Sequence, residues 1–112
     1  MVSIKVVDFS HYPAGRDDDD GPYNGAKFRD AVLIPALRQA LKNGEKVVVF
    51  LDDVKSYGSS FLEEAFGGLL RVGKFKRVEV KRTLELNAVR PAYFTIKRQI
   101  EDIIEEAPTT DK

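Results

Sequence analysis

The sequence has no cysteine. Disulfides, thiolate metal centres and cysteine nucleophiles are thereby excluded. Tryptophan is absent too, and His11 is the single histidine, so a metal centre built on several imidazoles is excluded. No apolar run approaches the ~18 residues a membrane-spanning helix needs, and the N-terminal residues lack a signal-peptide pattern. Neither sign of charge prevails, with 18 Lys and Arg against 18 Asp and Glu. Phosphate-neutralising affinity requires a cationic surplus, so neutral charge argues against a dedicated nucleic-acid binder. The glycine cluster Gly21-Pro22-Tyr23-Asn24-Gly25 has no lysine, and no Gly-Lys-Ser/Thr phosphate loop exists elsewhere. The expectation is a cytoplasmic protein with no membrane association, no cofactor and no metal.

What is present suits one small globular domain. An apolar content of 43% in 112 residues supports one core and is too little for two. We assign residues 1–108 to a single domain and 109–112 to a disordered tail. Charge is unevenly placed. Residues 71–98 are rich in Lys and Arg, while acid collects at Asp17–Asp20, at Asp52-Asp53 with Glu63-Glu64, and at Glu101-Asp102 with Glu105-Glu106. Such polarity suits docking to a charged partner.

Hydrophobic periodicity gives three strand–helix units. The first strand, about Val2 to Phe9, alternates Val2, Ile4 and Val6 with Ser3 and Lys5. The second, Val47 to Leu51, is apolar throughout and reads as a central strand. The third, about Arg77 to Arg82, alternates Val78 and Val80 with charge and reads as an edge. The fold class is therefore α/β, with a small, mainly parallel sheet in the order 1-2-3. Helices are expected at about Ala26 to Lys42, kinked by Pro35, at about Phe61 to Val72, and from Pro91 to Ala107. Right-handed crossovers in this order place the helices on one face of the sheet. The loop from Ser10 to Asn24 or a second subunit is then expected to cover the other.

The junction after the central strand carries the functional signal. Asp52-Asp53 ends the strand, and a short loop brings Gly58-Ser59-Ser60-Phe61 to a helix start. Ser60 with Glu63 matches a capping box, in which Ser60 is the N-cap and Glu63 reaches back. That leaves Ser59 unexplained, at a helix end where a phosphate is electrostatically favoured. Glu63, Glu64, Gly67 and Arg71 fall on the polar side of this helix.

The strand, acidic pair, Ser-Ser and Gly-containing helix over residues 46–72 resemble the STAS domain of anti-sigma-factor antagonists. In that family the first serine of an Asp-Ser-Ser-Gly stretch is the phosphoacceptor, a role that maps here onto Ser59. Gly58 stands in place of the aspartate and Phe61 in place of the glycine. The segments GRDDDD, NGAKFRDAVLIPAL and SSFLEEAFGGLL are similar to the STAS-like domains of bacterial proteins with no assigned function. The resemblance implies a regulatory module that is not an enzyme. It implies Ser59 as phosphoacceptor candidate, Gly58, Ser60 and Glu63 as support, and Glu64, Gly67 and Arg71 as docking residues. The implied partner is a protein, either a serine-kinase-like ATPase or an anti-sigma factor, and a homodimer is a further possibility.

Two alternatives rest on the residues alone. Asp52 and Asp53 could hold magnesium in a phosphoryl-receiver-like site, although the favoured reading has them end the strand and bond loop N–H groups. The basic residues Lys76, Arg77, Lys81 and Arg82 could bind nucleic acid. Arg16, Lys27 and Arg29 could contact an acidic partner or a phosphoserine.

Overall fold

The computed structural model describes residues 1–108, so the tail assigned to 109–112 lies outside the described residues. Strand β1 (Val2–Lys5) leads into a short helix α1 (Val6–Phe9), and a 3₁₀ turn at Asp18–Asp20 interrupts the long loop that follows. Helix α2 is continuous over residues 25–43, with α-helical ends, Gly25–Phe28 and Ile34–Asn43, joined by a π-helical turn at Arg29–Leu33. Strand β2 (Val47–Phe50) precedes α3, over residues 59–71, which has the same build: Ser59–Leu62, a π turn at Glu63–Gly67, and Gly68–Arg71. Then come α4 (Arg77–Thr83), β3 (Leu84–Asn87), a 3₁₀ turn at Pro91–Tyr93 and α5 (Phe94–Glu106).

The sheet is parallel, with the order β1-β2-β3. Val47 sits beside Val2 and Leu84, and Val49 beside Ile4 and Leu86. Because side chains alternate along a strand, these six residues share one face, and all of them pack into or against the core. Ser3, Lys5, Val48, Phe50, Glu85 and Asn87 occupy the other. The expected α/β class, strand order and central β2 are all present. The long loop does not cover the second face, because its hydrogen bonds run elsewhere: His11 O accepts from Lys55, Pro13 O from Gly58 and Gly15 O from Gly25.

Two strand assignments need correction. β1 stops at Lys5, and the next residues coil so that Phe9 stacks near Tyr23, Phe28 and Phe61, with centroids 5.7, 5.0 and 6.1 Å away. The segment 77–82 is helix, and the third strand lies just beyond it. Val80 is buried there while Val78 is 61% exposed, so the two valines do not share a face as a strand reading requires. The Glu79 carboxylate accepts from the Lys76 N–H at 2.9 Å and closes the first turn. Arg77 donates to the Ile104 and Ala107 carbonyls and fastens α4 to the end of α5. Leu84 and Leu86 supply the inward strand positions instead.

The break in α2 precedes the proline. Pro35 lacks an N–H and its ring crowds the preceding turn, and the π turn at Arg29–Leu33 lies directly before it. One extra residue in that turn puts Phe28 and Leu33 on the same buried face, continuous with Leu37 and Ala40. Helix α3 is the central helix: Phe61, Leu62 and every residue from Ala65 to Leu70 are buried. Val72, expected as the last residue of this helix, lies just beyond it and is 53% exposed.

Candidate functional site

The loop after β2 is fixed by its own polar groups. The Asp52 carboxylate accepts from the backbone N–H groups of Val89 (2.8 Å) and Arg90 (3.0 Å). Asp53 adopts φ of +75° and pairs with the Arg90 guanidinium at 3.0 Å. Tyr57 donates its hydroxyl to the Leu51 carbonyl and Tyr93 donates to that of Val54. Burial, reinforced by Tyr93 and Asp52, pushes the Tyr57 phenol far above its ordinary range. Asp52 thus bonds loop N–H groups as favoured from sequence, whereas Asp53, expected to do the same, pairs with the Arg90 side chain. Both carboxylates are engaged by protein donors, and among the described residues no three Asp, Glu or His converge as a metal site would need.

The acidic loop is likewise tied down. Asp17 accepts from the Asp19 N–H, Asp18 accepts from the Asn24 amide and lies 3.6 Å from Lys27, and Asp20 accepts from the Arg16 N–H.

Helix α3 opens on Gly58, its N-cap, with φ of −76° and ψ of 135°. The Gly58 N–H donates to Pro13 O, and a Cβ on Gly58 would lie 3.1 Å from the Ala14 Cα. Glycine suits this close passage of the acidic loop. Ser59 and Ser60 are the first two helical residues, with Ser59 exposed and Ser60 half-buried. Ser60 is therefore not the N-cap, and no side chain caps this end. Glu63 does not reach back, because Arg71 on the same helix and Arg16 from the acidic loop hold it.

Those arginines form an ion network across the junction of α2 and α3. Arg16 pairs with Glu63 at 2.7 Å and Glu64 at 3.4 Å, while Arg71 holds Glu63 from the other side. Arg29 is 5% exposed. It forks onto both carboxylate oxygens of Asp30, at 2.8 and 3.2 Å, and also donates to Glu64. Three arginines face three carboxylates, so the cluster is electrically balanced. Burial alone would raise the Glu63 carboxyl, but hydrogen bonds from Arg71 and Arg16 outweigh it and hold the group below its ordinary value.

The predicted docking face is thus only partly a surface. Glu63, Glu64 and Arg71 are half-buried within the network, and Gly67 is buried beneath it. A Cβ on Gly67 would lie 2.6 Å from a Glu63 carboxylate oxygen and 3.2 Å from Ile103. Arg29 is buried between the helices and does not face outward, and Lys27 serves Asp18. Sequence reasoning named Arg16 and Arg29 only as free cations. The signal for Arg29 was the glycine pair Gly67-Gly68 within an amphipathic helix: Gly68 leaves the space where Arg29 lies, its imaginary Cβ being 2.7 Å from that guanidinium.

The family model for the STAS-like domain of unknown function (DUF4325) matches residues 24–86, more than half of the chain. The chain belongs to this family. The match runs from the start of α2 to the third residue of β3, and so takes in the whole Ser59 junction and most of the ion network of this STAS-like domain. Neither a curated protein nor a solved structure matches the chain.

Proposed function

We propose that this STAS-like domain is a non-enzymatic regulatory module that docks to a protein partner around the start of α3, with Ser59 as its switch residue. The observation that carries the reading is the state of Ser59. It is exposed, it opens a helix of thirteen residues, residues 59–71, and among the described residues its hydroxyl has no partner within the protein. A free hydroxyl at the positive end of a helix accepts a phosphate without dismantling any cap. Ser59 also shares a helical face with Glu63, one turn on, whose carboxylate Arg16 already holds. A phosphate there adds nearly two negative charges to a balanced cluster and draws Arg16 toward itself. A partner surface matched to the neutral hydroxyl then loses affinity through repulsion and desolvation. The partner class suggested by the family resemblance is a serine-kinase-like ATPase or an anti-sigma factor. Affinity capture with wild-type, Ser59→Ala and Ser59→Asp baits tests the reading. A partner held by the first two and lost by the third supports it, and equal recovery by all three removes Ser59 from any switching role.

A further inference from the structure

The outer face of the sheet carries no helix, since the crossovers send every helix to the other side and the long loop runs past the start of α3. Parallel sheets are normally covered on both faces. By register, Ser3, Val48 and Glu85 form one row of this face, and Lys5, Phe50 and Asn87 the next. Val7 and Val89, the latter 73% exposed, extend the apolar centre into a groove at the C-terminal strand ends whose rim is the charged trio Asp52, Asp53 and Arg90. Lys5 and Glu85 lie at diagonally opposite corners, on the two edge strands. Both are exposed, and among the described residues neither forms an ion pair.

We propose that this face is the contact surface of a homodimer. A two-fold axis lying in the plane of the face, perpendicular to the line from Lys5 to Glu85, sets Lys5 of one copy over Glu85 of the other. Symmetry makes the same pair a second time. Half-buried Phe50 falls between the two pairs, in the dry centre where apolar burial contributes most, beside Val48, which is already only 4% exposed in the single chain. The strands of the two sheets then cross steeply, as in the orthogonal class of sheet packing. The occupant follows from the charges: one face presents both members of the pair, placed so that a second copy satisfies both at once. The chain's net charge of zero adds no self-repulsion against that association. The surface is separate from the Ser59 junction, and the two readings stand or fall independently.

Sedimentation velocity over a micromolar to millimolar series, with Lys5→Glu, Glu85→Lys and their equimolar mixture, tests the proposal. Both residues are exposed, so the reversals spare the fold, which circular dichroism checks. Wild-type protein is expected to dimerise, and each single reversal to weaken the dimer roughly tenfold by setting like charges in contact. The mixture is expected to regain it, because a Lys5→Glu copy and a Glu85→Lys copy again present opposite charges at both corners. Phe50→Asp should abolish the dimer. A wild-type monomer throughout the series overturns the proposal, as does a dimer that survives the reversals or a mixture that regains nothing.

Discussion

Gly25→Ala is the sharpest probe of how the two long helices are held together. Gly25 opens α2 against the side of α3 and is buried. A Cβ there would lie 2.7 Å from the Phe61 carbonyl oxygen, 2.8 Å from the Glu64 Cβ and 3.0 Å from the Ala65 nitrogen. Two of these three are backbone atoms, which no rotamer change can move. Restoring ordinary contact near 3.4 Å requires the helices to separate by about 0.7 Å, enough to forfeit a quarter to a half of each affected dispersion contact. The contacts at risk include the stack of Phe28 on Phe61 and Phe66, with centroids 5.5 and 6.3 Å apart. Overpacking of this kind costs about 1–3 kcal/mol. The helix preference of Ala over Gly returns less than about 1 kcal/mol. The net loss of about 1–2 kcal/mol corresponds to a fall in Tm of roughly 5–10 °C in a domain of this size. Thermal unfolding followed by circular dichroism, with urea melts to confirm an unchanged m value, measures it. A Tm equal to or above that of wild type would refute the argument that α2 and α3 meet at this glycine.

Two further outcomes follow from the same contacts. Asp52→Ala should speed amide exchange at Val89 and Arg90 specifically and lower stability by about 0.5–1.5 kcal/mol, since two exposed backbone donors lose a charged acceptor and turn to water instead; hydrogen exchange read by NMR checks it. Glu63 has a folded-state pKa below its ordinary value of 4.5, so its stabilisation is complete above that pH and is lost as pH falls through the depressed value. The stability advantage of wild type over Glu63→Gln should therefore shrink in urea melts taken progressively below pH 4.5, and a constant difference would contradict the Arg71 and Arg16 pairing.

Elements whose burial is local in sequence were legible. Val47 to Leu51 has no polar residue to place on a wet face, and Pro91 marks the 3₁₀ entry to α5, whose Ile100 and Ile104, with Ala107 just past its end, reach the core as their spacing implies. The third strand was misplaced because two alternating stretches lie in tandem, Val78 with Val80 and Leu84 with Leu86. Period alone does not separate them. Of the deciding interactions, Glu79 on the Lys76 amide is local, three residues apart, but Arg77 on the end of α5 is made only once the chain has folded. At the candidate site, Gly58 and Ser59 were placed from the strand–loop–helix order. The Ser60 cap failed for a long-range reason: Glu63 has the right spacing for a capping box, but Arg16 and Arg71 offer it charge-assisted bonds that a backbone N–H cannot match. The π turn of α2 lies just before Pro35, where a kink was expected, whereas no proline marks the π turn of α3 at Glu63–Gly67.

The central claim, that Ser59 is a switch on an intact fold, is tested most directly by measuring Tm and partner affinity together for Ser59→Asp. The account predicts a stability within about 0.5 kcal/mol of wild type, as for a surface site that makes no native contact. It also predicts affinity for the captured partner reduced tenfold or more, with Ser59→Ala unchanged in both respects. A Ser59→Asp protein that binds as tightly as wild type, or one that loses binding only because it has unfolded, contradicts it.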